Sequence, residues 1–141
     1  MRDQEWRGST CRIASAALAD IVAHAVAEAP RECCGLLVGT DALVDASVRT
    51  SNLEPGVNRF LVDPAGHFAL IKRLRGTGRE IVGAYHSHPR SEAVPSASDL
   101  AEAVSAAFLY VIVSLVDPDR PVARAYRLLN DGAAELDIVL D

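Results

Sequence analysis

The sequence is poor in aromatic residues and in cysteine, and it has no excess of basic side chains. Of its 141 residues 5% are aromatic and 3 are cysteine, and 14 lysines and arginines stand against 19 aspartates and glutamates, which gives a net charge of −5. Because phosphate contacts require a basic surface, this acidic balance argues against a nucleic-acid binder. An odd number of cysteines, with Cys33 and Cys34 adjacent, argues against a disulfide framework.

Long hydrophobic runs are also missing. No apolar run approaches the ~20 residues that a membrane span requires, and the first residues, MRDQEWRGS, lack the apolar stretch of a signal peptide. We therefore predict a soluble, cytoplasmic protein with neither a membrane nor a nucleic acid as its partner. Half of the residues are hydrophobic and 23% are charged, which excludes disorder for most of the chain and suffices for the core of one domain.

Hydrophobic periodicity predicts one domain of α/β or α+β architecture over residues 11–141, preceded by a flexible segment 1–10. Its mixed sheet is accompanied by about three helices, of which the second begins at Asp63 and stops near Gly76. The run 108–116 is the most apolar and is expected to be a central strand. The predicted helices are 15–29, 63–76 and 96–107. The predicted strands are 11–14, 34–39, 44–49, 81–85, 108–116, 122–128 and 136–140.

Two histidines, His86 and His88, end an apolar strand and are followed by Ser96 and Asp99. Residues i and i+2 of a strand point to the same side, so the two imidazoles converge on one point. A catalytic zinc takes three protein ligands and a water, and Asp99 could supply the third ligand if the intervening loop folds back. Two alternatives need no metal: solvated histidines, and a helix capping box formed by Ser96 and Asp99. The capping and metal interpretations do not exclude each other.

A hydrolytic metal site also needs a general base that takes a proton from water. Glu32 is the candidate, because it precedes the apolar run 34–39 where the chain passes from a helix into a strand. A carboxylate at such a place is more often simply exposed. Its position alone therefore does not assign it a role.

Taken together, these segments resemble the JAMM metalloproteases, the catalytically competent branch of the MPN (Mov34/PAD-1) domain family. The family pattern is a distant Glu, then His-[Ser/Thr]-His, seven residues, and Ser-x-x-Asp. This chain matches the pattern at Glu32, His86, His88, Ser96 and Asp99. The likeness covers essentially the whole domain.

The resemblance implies a curled mixed β-sheet flanked by helices and one zinc ion per chain, bound by His86, His88 and Asp99. It implies that Glu32 holds and deprotonates the water and passes the proton to the leaving amine, while Ser96 hydrogen-bonds the oxyanion. JAMM relatives hydrolyse the bond after the C-terminal Gly-Gly tail of ubiquitin-like proteins, and the substrates of short prokaryotic members include sulfur-carrier proteins. This chain lacks long insertions and is similar to those short members. We therefore expect a zinc-dependent peptidase or isopeptidase acting on such a tail.

Two other classes of function stay open. The first is a non-catalytic MPN scaffold that binds protein partners, although inactive family members lack one or more of the ligands that this chain keeps. The second is another metal-dependent hydrolase or a nucleobase deaminase. Zinc deaminases need His-x-Glu with Pro-Cys-x-x-Cys, and the sequence lacks that combination. A homodimer is a further expectation, since homodimers are common among soluble domains.

Several residues receive a structural interpretation. His24 is predicted to lie at the surface, off the apolar face of its helix, whereas Val26 is placed on that face. His67 is predicted to be partly buried rather than a metal ligand. Cys34 shares strand parity with Glu32 and is expected to approach the site, whereas Cys33 should face away. Neither cysteine is assigned a redox role.

Overall fold

The structure of the protein is a computed structural model that describes residues 10–40, 42–53, 63–97, 99, 108–129 and 132–141. Within these residues there are two helices, α1 (Ser15–Glu28) and α2 (Pro64–Leu74). The strands are β1 (Thr10–Ile13), β2 (Cys34–Gly39), β3 (Val44–Thr50), β4 (Glu80–His88), β5 (Leu109–Ser114), β6 (Val122–Leu129) and β7 (Gly132–Leu140).

The strands form one closed, mixed barrel in the order β1-β3-β2-β4-β5-β6-β7. β1 closes the barrel because it pairs in parallel with both β3 and β7. β4 and β5 are also parallel, and the remaining neighbours are antiparallel. The predicted curled mixed sheet with flanking helices is confirmed, and β4 lies inside it between β2 and β5.

The strands beside β4 are the most deeply buried part of the barrel. Every residue of β2 and of β5 is buried, which accounts for their continuous apolar sequences in place of an alternating pattern. The predicted central strand 108–116 corresponds to β5, which pairs with β4 on one side and β6 on the other. β4 is thus held by two apolar neighbours, and this fixes the direction of its side chains.

α1 packs against the barrel through the face that carries Ala17, Ile21 and Ala25. These residues share one hydrophobic cluster with Leu37 of β2 and Tyr85 of β4. Full burial of a side chain as large as that of Ile21 stabilises the fold by about 1.5–3 kcal/mol. α1 is therefore fixed against the strands that carry the candidate site, and the chain that leaves its C-terminus passes close to that site.

The ends of α2 follow from local chemistry. The carboxylate of Asp63 accepts a hydrogen bond from the Ala65 N–H at 3.0 Å, and Pro64 occupies the first helical position, where its missing N–H costs nothing. The helix ends at Leu74, and Gly76 then adopts a φ of +79°, a conformation that glycine reaches without steric strain. The predicted start and stop signals of α2 are both confirmed.

The predicted surface position of His24 is wrong. Its side chain is buried, and its Nδ1 lies 2.7 Å from the Tyr85 hydroxyl, which supplies the polar partner that a buried imidazole requires. Because His24 follows Ile21 by three positions, the two residues share one face of the helix. Val26, which was placed on the apolar face, is 55% exposed. His67 is partly buried, as predicted.

Two strands, β4 and β7, extend well beyond their predicted bounds, whereas the other strands differ from theirs by at most two residues at an end. β4 continues from the predicted end at residue 85 to His88, because His86 and His88 pair with Ile112 and Ser114 of β5. β7 begins at Gly132 instead of residue 136, because its pairing with β6 continues to the hairpin end. In both cases strand pairing extends the element beyond its apolar run.

Some predictions fall outside the described residues. These are the flexible segment, of which residues 1–9 are not described, and nearly all of the predicted helix 96–107. No helix in the described part of the chain is long and apolar enough to cross a membrane.

Candidate metal centre

β4 brings the two histidines together at its C-terminal end. Both side chains are buried and point to the same side of the strand, because they are two residues apart. Their Nε2 atoms lie 3.2 Å from each other, and the ring centroids are 5.0 Å apart. The imidazoles of His86 and His88 therefore converge on one point, as predicted.

Asp99 completes this group from the far end of the loop that follows β4. Its Oδ2 lies 3.1 Å from the Nε2 of His86 and 3.2 Å from the Nε2 of His88. Asp99 is buried, so its charge is little screened by water. The loop therefore folds back as the sequence analysis required, and one carboxylate oxygen faces both imidazoles.

Ser96 and Asp99 also form the reciprocal contacts of a capping box. The Ser96 N–H donates to Asp99 Oδ2 at 2.8 Å, and the Asp99 N–H donates to Ser96 Oγ at 3.0 Å. The hydroxyl of Ser96 acts as an acceptor in this contact, so its own hydrogen can still be donated. Ser96 is exposed. The structure shows the capping box for this pair, and the metal interpretation stays a prediction that the capping contacts do not exclude.

Glu32 lies in the segment between α1 and β2. A metal-ligating atom of Glu32 lies within 4.8 Å of those of His86 and His88. The general expectation that a carboxylate at this place is exposed is wrong here, because only 7% of Glu32 is accessible. The folded barrel covers it against the end of β4, and sequence position alone did not reveal this.

Two side chains that the sequence analysis did not assign hold the backbone around Glu32. Asn52 Nδ2 donates to the Glu32 carbonyl at 2.7 Å, and the Cys33 N–H donates to Ser87 Oγ at 2.8 Å. Ser87 is fully buried and lies between the two histidines in sequence. The only sequence signal for Ser87 was its place between the two histidines. No feature of the sequence marked Asn52.

Burial and neighbouring charges shift the pKa values of the site. Burial raises the pKa of Glu32 to about 7, with His88 opposing the shift and Asp99 adding to it. Burial lowers the pKa of His86. Burial lowers the pKa of His88, but Asp99, the hydrogen bond to the Glu92 carbonyl and the charge of Glu32 together outweigh this effect and raise it. The pKa of Asp99 is held well below its usual range by the two imidazoles, although burial acts in the other direction.

The three converging atoms fit a metal ion. Ligands 2.0–2.1 Å from a tetrahedral zinc lie about 3.3 Å from each other, close to the 3.1–3.2 Å between the two Nε2 atoms and Asp99 Oδ2. The Nδ1 of His88 lies 2.8 Å from the Glu92 carbonyl. Because a carbonyl only accepts, Nδ1 carries the hydrogen, and Nε2 of the neutral ring presents a lone pair. Two imidazoles and a carboxylate are a typical donor set for a catalytic zinc site.

The adjacent cysteines have separate environments. Cys34 pairs with His86 in the sheet, but its Sγ lies 3.4 Å from Thr50 Oγ1 and 3.7 Å from the Ser51 carbonyl. Cys33 belongs to the core cluster that includes α1, which agrees with the prediction that its side chain faces away from the site. Burial raises the pKa of both thiols, that of Cys33 to about 11.

A three-ligand group beside a buried carboxylate is the arrangement of a metal-dependent hydrolase. Residues 14–129 match the family described as prokaryotic homologs of the JAB domain. The chain belongs to this family. The predictions of a JAMM-type member and of a hydrolase are confirmed.

Two relatives and one solved structure illustrate the similarity. The chain is 33% identical to a desampylase from Haloferax volcanii, with 94% of this chain and 98% of the relative covered. It is 30% identical to a CysO-cysteine peptidase from Mycobacterium tuberculosis, with 82% of this chain and 80% of the relative covered. The solution structure of a Desulfitobacterium hafniense protein superposes with a TM-score of 0.85 at 32% identity, covering 94% of this chain and 93% of the other.

Proposed function

We propose that this chain is a zinc-dependent peptidase or isopeptidase that cleaves the bond after the C-terminal Gly-Gly tail of a ubiquitin-like or sulfur-carrier protein. The observation that carries the proposal is the convergence of His86, His88 and Asp99 on one point beside the buried carboxylate of Glu32. A structural role alone would not require a carboxyl group whose pKa is raised to about 7 at this position.

His86, His88 and Asp99 would hold one zinc ion per chain through Nε2, Nε2 and Oδ2. When bound, zinc supplies a Lewis acid that polarises a carbonyl group and lowers the pKa of water toward ~7. The hydrogen bond between His88 and the Glu92 carbonyl, at 2.8 Å, keeps the ligating nitrogen of this ring free of its proton.

Glu32 acts as the general base and then as the general acid. Its carboxylate accepts a proton from the attacking water and returns it to the leaving nitrogen, so that the amine departs in its neutral form. A group of this kind works best when its pKa lies near the working pH, and in the metal-free protein burial raises the pKa of Glu32 to about 7. Asn52 and Ser87 support this role because they hydrogen-bond the carbonyl and the N–H of the peptide group that joins Glu32 to Cys33.

Ser96 stabilises the negative charge that develops on the substrate carbonyl oxygen. Its Oγ accepts from the Asp99 N–H, which fixes the oxygen and leaves the hydroxyl hydrogen to be donated. One oxyanion donor of this type contributes on the order of 10²–10³ in rate. Because Ser96 is exposed, a substrate can reach it.

The substrate class follows from the family resemblance and from the names of the relatives. One relative is named for cleaving a CysO–cysteine bond and another is named a desampylase. An extended C-terminal tail is the part of a substrate that can add beside a strand and approach a buried site. Cytoplasmic location, homodimer formation and the lack of nucleic-acid or membrane partners remain predictions.

The test uses a small carrier protein that ends in Gly-Gly and is fused through this end to a reporter peptide. Zinc-loaded protein is expected to release the peptide after the second glycine, as read by mass spectrometry. Glu32→Gln is expected to lower the turnover by about 10²–10⁴ while its zinc content stays the same. A fusion whose Gly-Gly is replaced by Val-Val serves as the substrate control.

Each outcome separates the candidate functions. Binding of the carrier without any cleavage by the zinc-loaded protein would support a non-catalytic scaffold and overturn the proposed activity. Equal turnover by the parent and by Glu32→Gln would remove Glu32 from the mechanism. Equal cleavage of both fusions would refute the Gly-Gly substrate class but not the peptidase.

A further inference from the structure

The loop 89–95, which connects β4 to Ser96 and Asp99, is fixed to the barrel through its backbone. Ser114 Oγ donates to the carbonyl of Ser91 at 2.6 Å, and the hydroxyl of Tyr126 donates to the carbonyl of Ala93 at 2.5 Å. Ser114 ends β5, and Tyr126 lies in β6. Both side chains are buried, so these hydrogen bonds are shielded from competition with water.

The carbonyl of Glu92, which lies between those of Ser91 and Ala93, also accepts a hydrogen bond. Its donor is Nδ1 of His88, at 2.8 Å. Three consecutive carbonyls of the loop therefore meet three side-chain donors, one from each of the neighbouring strands β4, β5 and β6. A loop whose side chains alone packed against the sheet would not show this regular pattern of backbone acceptors.

We propose that Ser114 and Tyr126 are positioning residues that hold the loop 89–95 so that Asp99 arrives at the two histidines before any metal binds. Fixing the backbone of a loop costs conformational entropy. A loop that is ordered in advance avoids that cost at the moment of binding, which raises the affinity for the metal. The inference rests on the proposed zinc site, and it adds residues that touch neither the metal nor the substrate.

The contacts of each residue favour this role over simple packing. The ring of Tyr126 packs in a cluster with Ala93, Ile112 and Leu128, so the aromatic part is secured without its hydroxyl. Tyr126→Phe therefore keeps the ring packing and removes the hydroxyl, with its hydrogen bond to the Ala93 carbonyl and its contact with Arg124. Ser114 Oγ also accepts from the Val116 N–H at 3.2 Å, and Ser114→Ala is the second, independent variant.

The experiment measures the dissociation constant of zinc from the folded full-length chain by competition with a chromophoric chelator. Tyr126→Phe and Ser114→Ala are each expected to raise this constant by about 10-fold or more, as outer contacts of metal sites typically do. Ser47→Ala is the control, because its hydroxyl donates away from the site, to the Asp20 carboxylate at 3.2 Å and to the backbone carbonyl of Ala17 at 3.4 Å. Cobalt-loaded samples should also show a changed absorption spectrum in the two variants and an unchanged one in the control.

The thermal midpoint of the metal-free protein is recorded for every variant. A lower midpoint with an unchanged dissociation constant in both variants would show that the hydroxyls serve only the stability of the fold, and would overturn the inference. If one variant does not fold, the other decides. A parent protein that binds no zinc would instead contradict the proposed function, so the two failures are distinguishable.

Discussion

Replacing Glu32 by Gln is expected to stabilise the metal-free protein at alkaline pH, and this effect is independent of catalysis. Burial raises the pKa of Glu32 from 4.5 to about 7, so the folded protein binds a proton more tightly than the unfolded chain does. The stability contributed by the neutral carboxyl group is fully present below pH 4.5 and is lost as the pH rises through about 7. The glutamine side chain is similar in size and does not ionise.

The size of the expected change in the free energy of unfolding follows from the same shift in the pKa of Glu32. At about 1.36 kcal/mol for each pKa unit, the ionised carboxylate destabilises the metal-free fold by up to about 3 kcal/mol at pH 8. The free energy of unfolding of Glu32→Gln should therefore exceed that of the parent by up to this amount at pH 8, and the difference should shrink toward pH 4.5. Urea titrations of chelator-treated protein at several pH values measure it.

The control is Glu28→Gln, which removes an exposed carboxylate from the end of α1. Its effect should stay below about 1 kcal/mol, the usual contribution of a charge near a helix end. A difference between Glu32→Gln and the parent that does not change between pH 4.5 and pH 8 would refute the burial of Glu32 as an ionisable group. It would also remove the physical basis for its role as a base near neutral pH.

Three further predictions concern the barrel and α1. Burial lowers the pKa of His24. The stability that the neutral imidazole contributes is therefore fully present above pH 6.5 and is lost as the pH falls. The thermal midpoint of His24→Gln should depend less on pH between 7.5 and 5.5 than that of the parent. Ile21→Ala should cost about 2–5 kcal/mol in urea unfolding, because Ile21 is fully buried, whereas Val26→Ala, at an exposed position, should change stability by less than about 0.5 kcal/mol. Gly35→Ala should unfold the protein or shift Tyr85 visibly in its near-ultraviolet circular dichroism, since the added Cβ would lie 2.2 Å from the Tyr85 ring.

The order of elements could be predicted from the sequence because each carries its own local signal. The Asp63–Pro64 start of α2, the apolar run of β5 and the alternation in β3 depend only on neighbouring residues. The closure of the barrel could not be predicted in this way. It depends on β1 pairing with both β3 and β7. The β1–β7 pairing joins residues more than 100 positions apart, such as Cys11 and Ile138.

The candidate site shows the same division. The spacing of His86 and His88 on a strand predicts their convergence directly, and the structure agrees. The burial of Glu32, the contact of His24 with Tyr85 and the hydrogen bonds that Ser114 and Tyr126 make to the loop all depend on tertiary packing, which no local pattern encodes.

The most direct test of the account is the metal content of the purified protein, measured beside His88→Ala by inductively coupled plasma mass spectrometry. We expect about one zinc per chain in the parent and a loss of this zinc in His88→Ala, with the circular dichroism of the fold retained. His67→Ala, which changes a partly buried histidine of α2, should lose no zinc. A correctly folded parent that binds no metal after zinc is added would contradict the account.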